Sequence, residues 1–422
     1  MKINRVQIIF FLLIFGLTNE LSAQDRYAVF FKFKPQEKFS LASPLEFLSP
    51  KALDRRVREG VKVDSTDLPV SSKYVFAVSQ KVDQLLYQTK WLNAAIVVAS
   101  AEKVAEIKNL PFVSKVEFVG KGFLERSKSR IDPSFPAERP SGKFEKIQAR
   151  EWEKTQNSYD FQNQLIGIPE MHKAGFRGKG VVIAVFDAGF PGANTVSSLL
   201  HLQTKNQILG TRDFVRPWNQ DVYSEHQHGT NVLSLIASDE PGKMVAGAPD
   251  ASFILVITEE DATEYRVEEF NWVKGAEFAD SLGVDIINSS LGYLDFDDPA
   301  MNYSIKSLDG NTSIITQGAS LAAKKGILVV NSVGNNGPKQ STLVAPSDAK
   351  GILSIGSVNQ DLNVSNFSSR GPTGDLRIKP DLVTLGSGTS LVTSSGSIGK
   401  SNGTSFSAPQ ITALAAGIWE AR

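Results

Sequence analysis

Four polar residues stand where an apolar strand ends or an apolar helix begins. Asp187 closes the run "VVIAVFD", His228 opens "HGTNVLSLIAS", Asn335 follows "ILVVNSVG", and Ser405 lies in "NGTSFSAPQITALAAGIW". A carboxylate emerging from a buried strand costs several kcal/mol unless it finds hydrogen-bond partners. A serine at a helix start sits beside unsatisfied backbone N–H groups and the positive end of the helix dipole, which supports an oxyanion forming nearby. The Asn335 amide could donate to the same oxyanion. Each residue also has an ordinary reading: Asp187 as a turn former, Ser405 as an N-cap, and Asn335 as a turn residue beside glycine.

Other patterns compete for the chemistry. "GKSNG", residues 399–403, fits an esterase elbow and nominates Ser401, but that arrangement needs a histidine after the serine, and no histidine follows His228. "GSIGKS" approaches a phosphate loop, yet Ser394 stands where that loop needs glycine. His226 and His228 have the spacing of strand-borne metal ligands, without a third matching cluster nearby. Asp295, Asp297 and Asp298, in "YLDFDDPAMNYSIKSLDGN", are weak candidates for calcium, a solvated loop being the simpler reading. The chain has no cysteine, which excludes disulfides, thiolate catalysis and zinc–cysteine sites.

The elements that must hold these residues follow from patterning. "VVIAVFDAG", "ASFILVI", "VDIINSSLG", "GILVVNSVG" and "GILSIGSV" are short, β-branched and almost wholly apolar. Amphipathic stretches such as "VEEFNWVKGAEFADSLG" and "SIITQGASLAAKKG" lie between several of them. This predicts an α/β fold, a doubly wound, mostly parallel sheet covered by helices on both faces, with working residues at the carboxyl ends of the strands.

Upstream the texture differs. Residues 1–23 combine a basic start, an apolar run of about a dozen residues and a small-residue cleavage site, the pattern of a bacterial-type signal peptide too short to span a bilayer. Residues 24–120 alternate strands ("RYAVFFKFK", "TKWLNAAIVVA", "SKVEFVG") with helices ("SPKALDRRVREG", "SAEKVAEIKNL"), predicting a small α+β domain. Residues 121–157 are polar, Pro-bearing and basic, as in an exposed linker open to proteolysis. Residues 24–157 hold 24 Lys and Arg against 17 Asp and Glu, and residues 158–422 hold 19 against 27, so the halves carry opposite net charge.

In the order Asp, His, Asn, Ser, the motifs "IAVFDAG", "HGTNV", "VGNNG" and "NGTSFSAP" resemble those of the subtilisin-like serine proteases, or subtilases. "INSSLG", "VAGAPDA", "FSSRGP" and "KPDL" are also similar to family segments. The departures are Ala188, Asn231, Phe406 and Ser407, none of which removes a reacting group. The resemblance implies that Ser405 attacks a peptide carbonyl, His228 takes its proton, Asp187 orients the imidazole, and Asn335 with the Ser405 N–H holds the oxyanion. Ser290, Leu291 and Gly292 would pair with the substrate backbone. Residues 24–120 resemble a subtilase propeptide that assists folding and inhibits until cut within 121–157, leaving a catalytic domain at 158–422.

The expectation is therefore an endopeptidase made as a zymogen and secreted, periplasmic or at the cell surface. It is expected to be monomeric, to act on proteins or peptides and bind its own propeptide, with no nucleic-acid partner and no membrane span after signal cleavage. No cofactor is required for the chemistry, and structural Ca²⁺ is an open expectation. The alternative is a non-catalytic, protease-like peptide-binding protein. Because 17 residues follow Ser405, where the family usually continues further, the domain is read as truncated or unusually short.

Overall fold

The computed structural model describes residues 24–123 and 156–422. The expected signal segment and most of the expected linker lie outside the described residues.

The first unit is a four-stranded antiparallel sheet of β1 (Asp25–Phe31), β2 (Gln84–Thr89), β3 (Ala94–Ala99) and β4 (Val113–Gly120), in the order β2-β3-β1-β4. It carries α1 (Pro50–Arg58), α2 (Ser72–Ser79) and α3 (Ala101–Lys108). Ser49 and Ser100 cap α1 and α3, their hydroxyls accepting from Ala52 N (3.1 Å) and Lys103 N (3.4 Å). One face of the sheet closes over its own core through Val29, Phe31, Val97, Ile107 and Val113. The other face, with Ala28, Ile96, Val98 and Val119, packs against Val267 and Phe270 of the larger unit. The stretch "TKWLNAAIVVA" is not one strand. It spans the end of β2, a reversal in which Asn93 takes φ +50°, and β3. Asparagine tolerates that left-handed conformation, which ends the pairing run where an apolar count alone continues it.

The larger unit contains α4 (Asp160–Leu165), α5 (Ile168–Lys173), β5 (Val182–Asp187), α6 (His201–Thr204), β6 (Ile208–Asp213), α7 (His228–Ala237), β7 (Asp239–Glu240), β8 (Met244–Val245), β9 (Ser252–Ile257), α8 (Val267–Leu282) and β10 (Ile286–Ser289). It continues with α9 (Ile314–Lys324), β11 (Leu328–Ser332), β12 (Leu353–Val358), β13 (Leu382–Leu385), β14 (Thr389–Val392), β15 (Ile398–Ser401) and α10 (Ala408–Glu420). Seven strands form one sheet in the order β13-β12-β11-β10-β5-β9-β6, every neighbouring pair parallel.

Alternate side chains of β5 serve opposite cores. Ile183 and Val185 join the layer with Val232, Leu233 and Ile236 of α7 and Ile411 of α10. Val182, Ala184 and Phe186 join Trp272 and Val273 of α8 and Ile315 of α9. Both faces are therefore buried, which explains why the strands read as nearly continuous apolar runs. The strand order reverses between β5 and β10, and at such a switch point the carboxyl ends open a crevice.

Candidate active site

Asp187 is the last residue of β5 and is fully buried. His228 is the first residue of α7, and its Nδ1 lies 2.9 Å from each carboxylate oxygen of Asp187. The neighbouring Ala188 N–H donates to Oδ1 at 2.9 Å, so the buried carboxylate has the partners its desolvation demands. The close approach depends on Gly229. A Cβ there would stand 2.3 Å from the Gly189 carbonyl and 2.9 Å from the Asp187 Cβ. The glycine after the histidine thus lets α7 start against the end of β5.

Ser405 does not begin the long helix, as its sequence context suggests. It sits in a 3-10 turn, Thr404–Phe406, and Ser407 is the residue from which α10 departs. Pro409 falls within the first turn of α10, where its missing N–H costs nothing. The Ser405 hydroxyl donates to the Ser290 carbonyl (3.2 Å), and the Ser290 hydroxyl donates back to the Ser405 carbonyl (2.9 Å). The ring of Phe406 lies 5.5 Å from that of His228, so the position that departs from the family pattern packs beside the imidazole.

Asn335 lies three residues beyond β11. Its Oδ1 accepts from the Thr404 N–H (2.9 Å) and the Thr404 hydroxyl (3.0 Å). With Oδ1 committed to the residue before Ser405, Nδ2 is the end of the amide left as a donor. Thr404 was not legible as a site residue, although it is the threonine of "NGTSFSAP".

One cleft of about 730 Å³ is lined by His228, Asn335, Ser405 and the 290–292 segment. That segment continues from β10. The Asn331 amide donates to the Leu291 carbonyl (3.2 Å), and a Cβ on Gly292 would stand 2.2 Å from Val344. The floor is packed too tightly there for any other residue.

Sequence reasoning missed the acidic wall of the cleft, to which Glu259, Asp261 and Glu264 contribute along with Asp295. Carboxylate oxygens of Glu259, Glu264 and Glu268 lie within 4.8 Å of one another. Burial, together with the charges of Glu264 and Asp187, pushes the Glu259 carboxyl up from 4.5 to about 8. Burial likewise raises Glu268, with Glu264 and Glu259 adding to the rise. The available signal was local: "TEED" follows directly on β9, beside β5 in the sheet.

The acids of the 295–298 loop do other work. Asp297 accepts from the Glu264 N–H (3.0 Å), and Asp298 accepts from Ala300 N (3.0 Å) at the head of a 3-10 turn. Among the described residues, the acids that converge closely are Glu259, Glu264 and Glu268, not this trio. His226 also lines the cleft, but the His228 N–H points to its Nδ1 at 3.4 Å, and the two rings lie nearly parallel.

The two units meet through buried charge. Arg55 pairs with Asp280 (2.5 Å), and Arg56 reaches both Asp280 and Asp67 (2.8 Å each). Lys325 pairs with Asp67 (2.9 Å), and Arg26 with Glu260 (2.8 Å). Glu277 accepts from the Trp91 N–H (2.8 Å) and the Thr89 hydroxyl (2.5 Å). The basic N-terminal half and the acidic C-terminal half thus meet in specific pairs.

At the carboxyl ends of the parallel strands Asp187 and His228 are in contact, and His228, Asn335 and Ser405 line one cleft. Comparison with known proteins gives the family. Residues 178–422 match the subtilase family, and residues 26–132 match the peptidase S8 propeptide domain of Bacteroidota. The chain belongs to the subtilase family and is a serine-type endopeptidase made with a propeptide. It is 30% identical over 257 residues to the major intracellular serine protease of Bacillus subtilis (strain 168), covering 59% of this chain and 71% of that one. It is 25% identical over 349 residues to subtilisin E of the same organism, covering 82% and 75% respectively. A solved cold adapted subtilisin-like serine proteinase aligns over 58% of this chain and 78% of its own, at 20% identity and a TM-score of 0.45. Among the described residues, no helix is long and apolar enough to cross a membrane.

Proposed function

We propose that this protein is an exported endopeptidase that cleaves peptide bonds through an acyl-enzyme on Ser405. The observation that carries this reading is the fixed imidazole of His228. Nδ1 is held by Asp187, leaving Nε2 to take the Ser405 proton as the hydroxyl attacks a substrate carbonyl. Asp187 then stabilises the imidazolium without being protonated itself. The tetrahedral oxygen would be held by Asn335 Nδ2 and the backbone N–H of Ser405. Donors aimed at a developing charge are effective because they are set before the reaction begins. On collapse, His228 returns the proton to the leaving amine, and water repeats the cycle on the ester.

The substrate backbone would lie along Ser290, Leu291 and Gly292 as an added strand. The basic, signal-like residues 1–23 support export, and maturation within 121–157 would release the N-terminal domain from α8. Nucleophile, base and oxyanion donors are all protein groups, so the chemical steps proposed here use no metal. A structural cation would have its best donors in Glu259, Glu264 and Glu268.

The test is a diverse peptide library incubated with the matured protein, with and without chelator, beside a Ser405→Ala chain. Cleavage by the former and none by the latter is the expected result. A matured, folded protein that cleaves nothing and binds peptides would instead favour a non-catalytic binding role.

A further inference from the structure

The second and third residues of α8, Glu268 and Glu269, are adjacent carboxylic acids, both fully buried. Each holds a tyrosine. The Tyr293 hydroxyl donates to Glu268 Oε2 at 3.3 Å, and the Tyr303 hydroxyl donates to Glu269 Oε2 at 2.7 Å. Those tyrosines bracket the long loop that follows the substrate-pairing segment, and Leu294 and Asp295 of that loop line the cleft.

Both tyrosine rings belong to the core beside α8. Buried polar pairs are commonly no more stabilising than apolar side chains of the same volume, so their effect lies in fixing one arrangement. The remaining bonds show which arrangement that is. Tyr293 and Ala345 exchange both backbone hydrogen bonds (2.8 and 2.9 Å), directly after Gly292. The Tyr303 N–H donates to the Leu294 carbonyl (2.8 Å), closing the neck of the loop. The Phe296 ring stacks parallel to Tyr293 at 6.1 Å and edge-on to Tyr303 at 5.7 Å, joining the two anchors.

We propose that Glu268 and Glu269 are positioning residues that clamp both ends of the 293–303 loop and thereby set the rim of the cleft against which an extended peptide lies. This rests on the reading of Ser405 as nucleophile and deepens it. Neither glutamate touches the reacting atoms. Their influence falls on how well a long substrate is held, not on bond breaking, and short substrates that do not reach the rim are indifferent to them.

The experiment compares Tyr293→Phe, Tyr303→Phe and the double variant with Glu268→Gln/Glu269→Gln, all as full-length, self-matured protein. An eight-residue peptide and a short ester serve as substrates, and thermal unfolding is recorded for each variant. The hydroxyl deletions are expected to raise KM for the long peptide about 5- to 10-fold in the double variant, as lost buried hydrogen bonds of ordinary strength would. Its kcat, and kcat/KM for the ester, should stay within about two-fold. The glutamine variants keep an acceptor for each hydroxyl and should retain near-parental KM. An unchanged KM in Tyr293→Phe/Tyr303→Phe overturns the proposal, as does a parallel fall in kcat, ester cleavage and unfolding temperature, which marks a merely structural role. A parental protein that cleaves neither substrate overturns the reading of the site on which the proposal rests.

Discussion

His228 Nδ1 stands 2.9 Å from both oxygens of the fully buried Asp187, across 41 residues of sequence. A carboxylate in that position does two things at once. In the mechanism proposed above it holds the tautomer whose Nε2 accepts the serine proton, and it compensates the charge that the imidazole would acquire.

Replacing Asp187 with Asn keeps the shape and reverses one hydrogen bond. The amide would donate to Nδ1 and favour the tautomer with its proton on Nε2. We expect kcat to fall by about 10⁴ with KM little altered. Steady-state kinetics on a peptide substrate check this, and a loss below ten-fold would mean that Asp187 is only a structural acceptor.

Asn335 is oriented through Thr404, so the two substitutions should differ in size but agree in kind. Asn335→Ala is expected to lower kcat by about 10²–10³, the range for one oxyanion donor. Thr404→Val removes one of the two bonds that orient the amide and leaves the backbone one. It should cost only a few-fold in kcat. A raised KM with kcat unchanged for Asn335→Ala would place the amide in ground-state binding instead.

The charged contact between the units predicts a maturation defect. Arg56→Ala leaves Asp280 and Asp67 buried beside fewer cations, and breaking a buried pair from one side typically costs about 3–5 kcal/mol. The full-length Arg56→Ala chain should therefore yield mature protein at least ten-fold more slowly than the parent, as followed by gel densitometry. Unchanged maturation would show that docking on α8 does not depend on this network.

The acidic wall sets a pH dependence. The Glu259 carboxyl is raised from 4.5 to about 8 in the folded state, chiefly by burial and then by Glu264 and Asp187. The folded chain thus binds this proton more tightly than the unfolded chain. Its contribution to stability is full below about pH 4.5 and is lost as pH rises towards 8. Thermal unfolding of the Ser405→Ala chain between pH 5 and 8 should show this decline. Adding Glu259→Gln should flatten it, and an identical slope in both chains would count against the assignment.

What the sequence could show was local. Asp187, His228, Asn335 and Ser405 each lie in a short, glycine-flanked motif at the end of an element, and Gly229 is required where α7 meets β5. The five most apolar strands of the large sheet were equally plain, because burial on both faces leaves no polar alternation to confuse them. β6 and β13 at its edges were not, since half-exposed sequences such as "ILGTRD" lack that signal. Nor could spacing reveal that Glu259, Glu264 and Glu268 converge, or that Glu268 and Glu269 reach Tyr293 and Tyr303. Those contacts depend on how a loop folds back over the start of α8. Ser407 illustrates the limit in small compass: its place ahead of α10 depends on a 3-10 turn that no periodicity announces.

The central claim, that Ser405 is the nucleophile, is tested most directly by mapping the adduct of a fluorophosphonate probe on the matured protein by peptide mass spectrometry. The account predicts one adduct, on Ser405, abolished by Ser405→Ala and strongly slowed by Asp187→Asn. An adduct on Ser401 or Ser407, or none on protein that has lost its N-terminal domain, would contradict it.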